Sequence, residues 1–206
     1  MLPQKTNTVI DLSRMTPGLA DPVLNAQGLF RRIMEATARP GRIEPLLEAP
    51  IPPLDGFRAA GGVALTLLDF ETPTCLWGAL AHSDVMQWLR FHCGCPFTDD
   101  PAAAAFVFAA ADQAPDLSRL NPGDPKYPER AATLVLIVPA LEGGPRVRLS
   151  GPGVNGESFC APQGLPDGFW AAVEDNRAAP PLGVDVIFAS EDEILCLPRT
   201  THCTPV

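Results

Sequence analysis

Two short segments of this sequence set thiols beside imidazoles. FHCGCP, residues 91–96, places His92 next to Cys93 and Cys95, and TTHC, residues 200–203, places His202 next to Cys203. Imidazole and thiolate are the ligands zinc prefers, so these five residues hold enough donors for a four-coordinate site. The spacing within each segment does not match a zinc knuckle, in which two residues separate the cysteines, and it favours two unrelated pairs of buried thiol and imidazole, with no metal. A Cys–His nucleophilic pair is equally open at either segment. His82, in LAHSD, reads as an exposed loop residue.

A third cluster is Gly151, Gly153 and Gly156, spaced as G-x-G-x-x-G directly after the strand-like RVRLS. In a dinucleotide site the last glycine opens a helix, whose unpaired amides hold the pyrophosphate. Here ESFCAPQGLPDG follows, and Pro162, Gly164 and Pro166 prevent a helix of useful length. The motif reads as a structural turn, although a loop that touches a phosphate through backbone amides needs no such helix.

The cations are uneven: thirteen arginines against two lysines, Lys5 and Lys126. Arginine presents a planar fork suited to carboxylates and phosphates, whereas a Schiff base needs lysine. Lys5 sits near the N-terminus and Lys126 in the turn-rich NPGDPKYPE, so a pyridoxal phosphate anchor is poorly supported and no cofactor is expected. A formal net charge of -9 argues against a nucleic-acid surface, which needs a dense positive field. No apolar run approaches the roughly 20 residues that span a bilayer, and MLPQKTNTVIDLSRM lacks a basic segment followed by an apolar one. These features predict a soluble, cytoplasmic protein with no membrane or nucleic-acid partner. Its six cysteines, irregularly spaced, read as free buried thiols.

The elements that must position these residues follow from periodicity and punctuation. With 206 residues, of which 46% are hydrophobic, the chain can bury one sizeable core. Residues 1–20 show no clear periodicity and read as an N-terminal extension to a single domain over 21–206. Asp21-Pro22 is a cap followed by a first-turn proline, and Ala26, Leu29, Phe30, Ile33, Met34 and Thr37 recur at helical spacing until Pro40-Gly41 stops the run at Arg39. A second helix is predicted over about 59–68 and a third in DVMQWLRFH, capped by Ser83. TCLW is a short strand, residues 104–110 and 132–138 read as buried central strands, and 146–150 as a partly exposed one. GFWAAVEDNR is a short helix, and VDVIFAS and EILCLPR flank the turn Ser190-Glu191-Asp192-Glu193 as a hairpin. Helices early and strands late predict an α/β protein, a mixed-sheet sandwich with flanking helices, in preference to a uniformly parallel sheet.

FRRIMEATARPGRIEPL, LTLLDFETP, LRFH, ATLVLIV, LSGPGV and the terminal LPRTTH, in this order, resemble the PhnH family of phosphonate carbon–phosphorus lyase subunits. The resemblance runs from about residue 20 to the C-terminus, and the chain departs from the family pattern in the cysteines of HCGCP. It implies a fold similar to pyridoxal phosphate-dependent transferases without the cofactor. It also implies a homodimer acting with PhnG-, PhnI- and PhnJ-like subunits. That complex transfers the ribose triphosphate moiety of ATP to a phosphonate, and this subunit is non-catalytic or co-catalytic in it. The alternative is a small enzyme or ligand-binding subunit that grips an anionic phosphate or phosphonate with arginines. Candidate ligand or partner contacts are Arg31, Arg32, Arg90, His92, Arg199, Thr200, Thr201 and His202, and candidate structural turns are Pro40, Gly41, Gly151 and Gly153. For LPRTTH, one explanation pins the terminus to the core and the other presents Arg199 and His202 to a partner or anion.

Overall fold

In the computed structural model, which describes residues 15–206, α1 (Pro22–Ala38) begins at the expected cap. The Asp21 carboxylate accepts from the backbone N–H of Val23 and Leu24 at 3.0 and 2.9 Å, and Leu29, Ile33 and Ala36 are its buried positions. The chain turns at Arg39 into β1 (Ile43–Pro45), a short edge strand the sequence pattern does not reveal. Next, α2 (Arg58–Leu67) buries Ala59, Ala60, Gly61, Gly62, Val63 and Ala64, small residues that admit close neighbours. A Cβ on Gly62 would stand 3.0 Å from that of Ala49. After β2 (Thr74–Leu76), α3 (Val85–Cys93) starts one residue later than expected, with Asp84 at the cap position; the Ser83 hydroxyl donates backward to Leu80 O at 2.7 Å instead.

The strands β3 (Phe106–Ala110) and β4 (Thr133–Ile137) fall where the two apolar runs predict. They are followed by β5 (Val147–Ser150), β6 (Ser158–Cys160), α4 (Phe169–Arg177), β7 (Asp185–Ser190), β8 (Glu193–Leu197) and β9 (His202–Pro205). The main sheet has the order β1-β8-β7-β4-β3-β2. Its four strands β2, β3, β4 and β7 are parallel, while β8 runs antiparallel to both β7 and β1. The sheet is therefore mixed, as expected. The β7–β8 ladder closes at Ser190 opposite Glu193, which leaves Glu191 and Asp192 as the turn.

Continuous apolar runs belong to strands covered on both faces, and the alternation here is clean. Phe108, Val135, Ile187, Ala189, Ile194 and Cys196 face the core formed with α1, α2 and α3. Val107, Ala109, Leu134, Leu136, Val186, Phe188, Leu195 and Leu197 face a second core, closed by Phe169 and Val173 of α4 and by β5, β6 and β9. Those last three strands form a separate antiparallel sheet of order β6-β5-β9, of which only β5 falls where a strand is expected. Of the proposed extension, residues 1–14 lie outside the described residues. Met15 and Leu19 pack against the first core, and the Thr16 carbonyl accepts from Trp88 Nε1 at 3.0 Å.

Candidate functional site

The turn after α1, the glycine turn after β5 and the segment after β8 meet in space. Gly41 has φ +87, and a Cβ there would lie 2.6 Å from Ser158 Oγ and 2.7 Å from Leu149 Cδ1. Gly153, at φ +82, would carry a Cβ into the Ala38 carbonyl oxygen and within 2.8 Å of Pro40 Cδ. At Gly151 the added atom would be 3.1 Å from the Thr200 carbonyl oxygen. The G-x-G-x-x-G stretch is thus a turn folded against two other turns. The strand before it belongs to the antiparallel sheet, and β6 follows it.

Asp185, the first residue of β7, organises the departure of the chain from β8. Arg199 donates to it through Nε at 3.1 Å, Nη2 at 2.5 Å and its backbone N at 2.7 Å, while Nη1 donates to Pro128 O at 2.8 Å. The arginine side chain keeps only 16% of its exposure. Paired guanidinium and carboxylate forks are strong and directional, and this one is spent inside the chain. Of the two explanations for LPRTTH, the geometry fits the pinned terminus. His202 Nδ1 lies 2.6 Å from Glu174 Oε2 of α4, and the other carboxylate oxygen accepts the Cys203 backbone N–H. Burial raises the Glu174 carboxyl, but the hydrogen bonds from Cys203 and His202, with Arg177 beside them, outweigh it and hold the group below its ordinary value. Thr200 is exposed, and Thr201 is buried with its hydroxyl lacking a hydrogen-bond partner.

The arginines of α1 belong to another network. Glu44 on β1 is 1% exposed and receives Arg32 Nη1 at 3.0 Å. Arg42 Nε stands 2.7 Å from its Oε1, an ion pair by distance, yet without hydrogen-bond alignment. Arg39 and Arg42 both pair with Glu35. Arg31 is exposed and makes no ion pair among the described residues. Arg90 lies over the Phe97 ring at 5.4 Å, beside β2. Since β1 and β2 are opposite edges of a six-stranded sheet, Arg32 and Arg90 stand about five interstrand spacings apart, or about 24 Å. Arg199 sits at the far end of β8 from the residues that pair with β1. The four arginines do not form one cluster.

The two Cys–His segments also diverge. His92 Nε2 meets Thr16 O at 3.1 Å, with its ring against Trp88 and Phe91, on the α3 side of the main sheet. Cys93 and Cys95 pack in that same core, whereas Cys203 packs in the other. All six cysteines are free, and only Cys93 is not fully buried. Hydrogen bonding from Cys93 pulls the Cys95 thiol down while raising Cys93. Burial pushes Cys160, Cys196 and Cys203 up to about 12.

Three cavities open between these layers. The first, about 810 Å³, runs between α4 and the connection from β3 to β4, with Leu117, Leu120 and Phe169 among its walls and Asp116, Asp167 and Asp175 as its charges. A second, about 450 Å³, sits past the ends of β3 and β4 near Asp112 and Glu191. The third, about 380 Å³, lies between the turn into β1 and the small sheet and is lined by Arg146, Phe159 and Leu195. Sequence reasoning passed over Asp185, Glu174, Glu44 and Arg146. The first residue of a central strand, as in VDVIFAS, is the one signal that marks Asp185 as a partner for a cation past the paired strand. The other three carry no local signal.

The description "Bacterial phosphonate metabolism protein (PhnH)" matches residues 17–204. The chain is 44% identical over 186 residues to the alpha-D-ribose 1-methylphosphonate 5-triphosphate synthase subunit PhnH of Rhizobium meliloti (strain 1021), covering 88% of this chain and 92% of that protein. It is also 32% identical over 181 residues to the putative C-P lyase subunit protein HtxG of Stutzerimonas stutzeri, covering 85% and 84% respectively.

Proposed function

The chain belongs to the PhnH family of bacterial phosphonate metabolism proteins, and from that premise we propose that it is a subunit of a carbon–phosphorus lyase core complex. The complex transfers the ribose triphosphate moiety of ATP to a phosphonate during phosphonate catabolism, with PhnG-, PhnI- and PhnJ-like subunits as partners. The observation that carries this reading is the 44% identity, across 88% of the chain, to a protein named as a synthase subunit. The side chains support it. Arg199, His202 and Glu174, which together resemble a reactive constellation, are used to fasten the terminus. Such engagement suits a subunit whose motifs serve folding and docking more than one that turns over substrate alone.

Self-association goes with this reading. Val23, Phe30 and Met34 repeat at i, i+7 and i+11 on α1 and are 76%, 47% and 51% exposed, on a stripe beside the buried positions of the helix. An apolar stripe of this kind is covered most simply by a second copy. The likeness to pyridoxal phosphate-dependent transferases without their cofactor is a finer inference of ours. It fits the placement of Lys126, exposed with Nζ 5.2 Å over the Tyr127 ring and away from the three cavities. No helix among the described residues is long and apolar enough to cross a membrane, and we place the complex in the cytoplasm.

Co-expression with the other subunits tests the proposal. The tagged chain is expected to carry them through size exclusion, and phosphonate-dependent ATP consumption is expected only from the assembly. Turnover by the chain alone, or its elution free of the other subunits, refutes the reading.

A further inference from the structure

We propose that the cavity between the turn into β1 and the small antiparallel sheet is a binding site for a small organic anion, held by Arg146. With 24 acidic residues against 15 basic ones, most arginines find a carboxylate: Arg32, Arg39, Arg42, Arg58, Arg148, Arg177 and Arg199 all make ion pairs. Arg31, Arg90, Arg119, Arg130 and Arg146 make none among the described residues, and of these five Arg146 alone lines one of the three cavities described above.

Its guanidinium is held in place. The central carbon lies 3.7 Å from the centroid of the Phe159 ring, so one flat face is covered while the N–H donors point outward in the plane of the group. A guanidinium stacked on an aromatic ring keeps its fork available to a carboxylate or a phosphonate and loses little freedom when it engages one. Glu142, the acid among the lining residues, makes no ion pair with Arg146; its backbone carbonyl accepts from Gln163 Nε2 at 2.8 Å. Ile43, Leu141 and Leu195 supply apolar wall, and about 380 Å³ is within the range of small-molecule sites. One fixed cation with an apolar surround recognises an anionic head on an apolar body: a carboxylate, or an organic phosphonate or phosphate monoester, whose head carries roughly one to two negative charges near neutrality. The other two cavities hold carboxylates and no cation in their walls, which repels such ligands.

The site does not depend on the subunit reading, because binding is measurable on the full chain without turnover. Titration of the purified chain, by itself and in the co-purified assembly, with phenylphosphonate and separately with benzoate reads it directly. Saturable binding of either probe that weakens at least about tenfold in Arg146→Gln and partly recovers in Arg146→Lys supports the site, and the probe that binds identifies the headgroup. Phe159→Leu, which removes the stack and keeps the charge, is expected to weaken binding less than Arg146→Gln. Since Arg146 is exposed, its variants are expected to melt with the wild type. No saturable binding of either probe in either preparation overturns the proposal, as does equal binding by wild type and Arg146→Gln.

Discussion

Arg199 and Glu174 show how a reactive-looking side chain can be committed to structure. Arg199 bridges the start of β7 and the carbonyl of Pro128 with every group it can donate except part of its fork. Truncation removes both side-chain donors to Asp185, which keeps only the backbone N–H of residue 199, and leaves the Pro128 carbonyl without its donor; hydrogen bonds to charged groups contribute about 1.5–3 kcal/mol each at most sites. We therefore expect Arg199→Ala to lose about 2 kcal/mol. In a chain of this size that lowers the melting temperature by about 4–8 °C. An unchanged melt together with failed assembly would restore the docking explanation of LPRTTH. Glu174 makes a pH prediction. Its carboxyl is held below the ordinary value by Cys203 N–H, His202 and Arg177, against the raising effect of its burial. A carboxyl with a depressed folded value contributes stability above its unfolded value, and that contribution is lost as pH falls through the folded one. Glu174→Gln should therefore be less stable than wild type near neutrality, and the gap should close on acidification below the ordinary carboxylate range. A gap that is constant with pH in denaturant titrations shows that the carboxylate charge is not involved.

At the scale of elements, the molecule is joined where turns touch turns. Gly153 has no room for a side chain against Ala38 and Pro40, and its φ of +82 is a conformation other residues adopt at a cost. Left-handed strain on a non-glycine residue costs on the order of 1–3 kcal/mol, and the Ala38 backbone cannot yield without moving the end of α1. Gly153→Ala is accordingly expected to lose about 2 kcal/mol or more by chemical denaturation. Gly156, at φ +79 with nothing within 4 Å of its added Cβ, pays the backbone cost alone. An alanine at Gly156 that proves as damaging as one at Gly153 would show that the packed turns are not the reason. Two glycines of one motif thus differ in role, and spacing could not separate them.

For the whole molecule, the main sheet is buried on both faces, and part of the apolar surface left exposed lies on α1. Val23, Phe30 and Met34 share that stripe, so charge placed there is expected to act on association and leave the fold alone. Phe30→Glu with Met34→Glu should shift light scattering from dimer to monomer while circular dichroism remains that of a folded chain, since about half of each side chain is exposed; the melting temperature falls only by what association adds to stability. Wild-type chain that scatters as a monomer at micromolar concentration refutes the self-association.

Local signals sufficed wherever one segment decides its own structure. Asp21-Pro22 and Pro40-Gly41 bound α1 because caps and prolines act within a turn of chain, and the runs at 104–110 and 132–138 mark central strands because only a doubly covered strand is apolar throughout. The likeness of six ordered motifs to PhnH likewise needed no coordinates. Tertiary structure alone decided the rest. The strands β1, β6 and β9 are three or four residues long, too short to display a period, and exist because a neighbour pairs with them. The partners Asp185 for Arg199, Glu174 for His202 and Glu44 for Arg32 lie 14, 28 and 12 residues away in sequence. A fork committed to Asp185 and one stacked free on Phe159 look the same in sequence, because what an arginine does depends on which carboxylates the fold brings within reach of it.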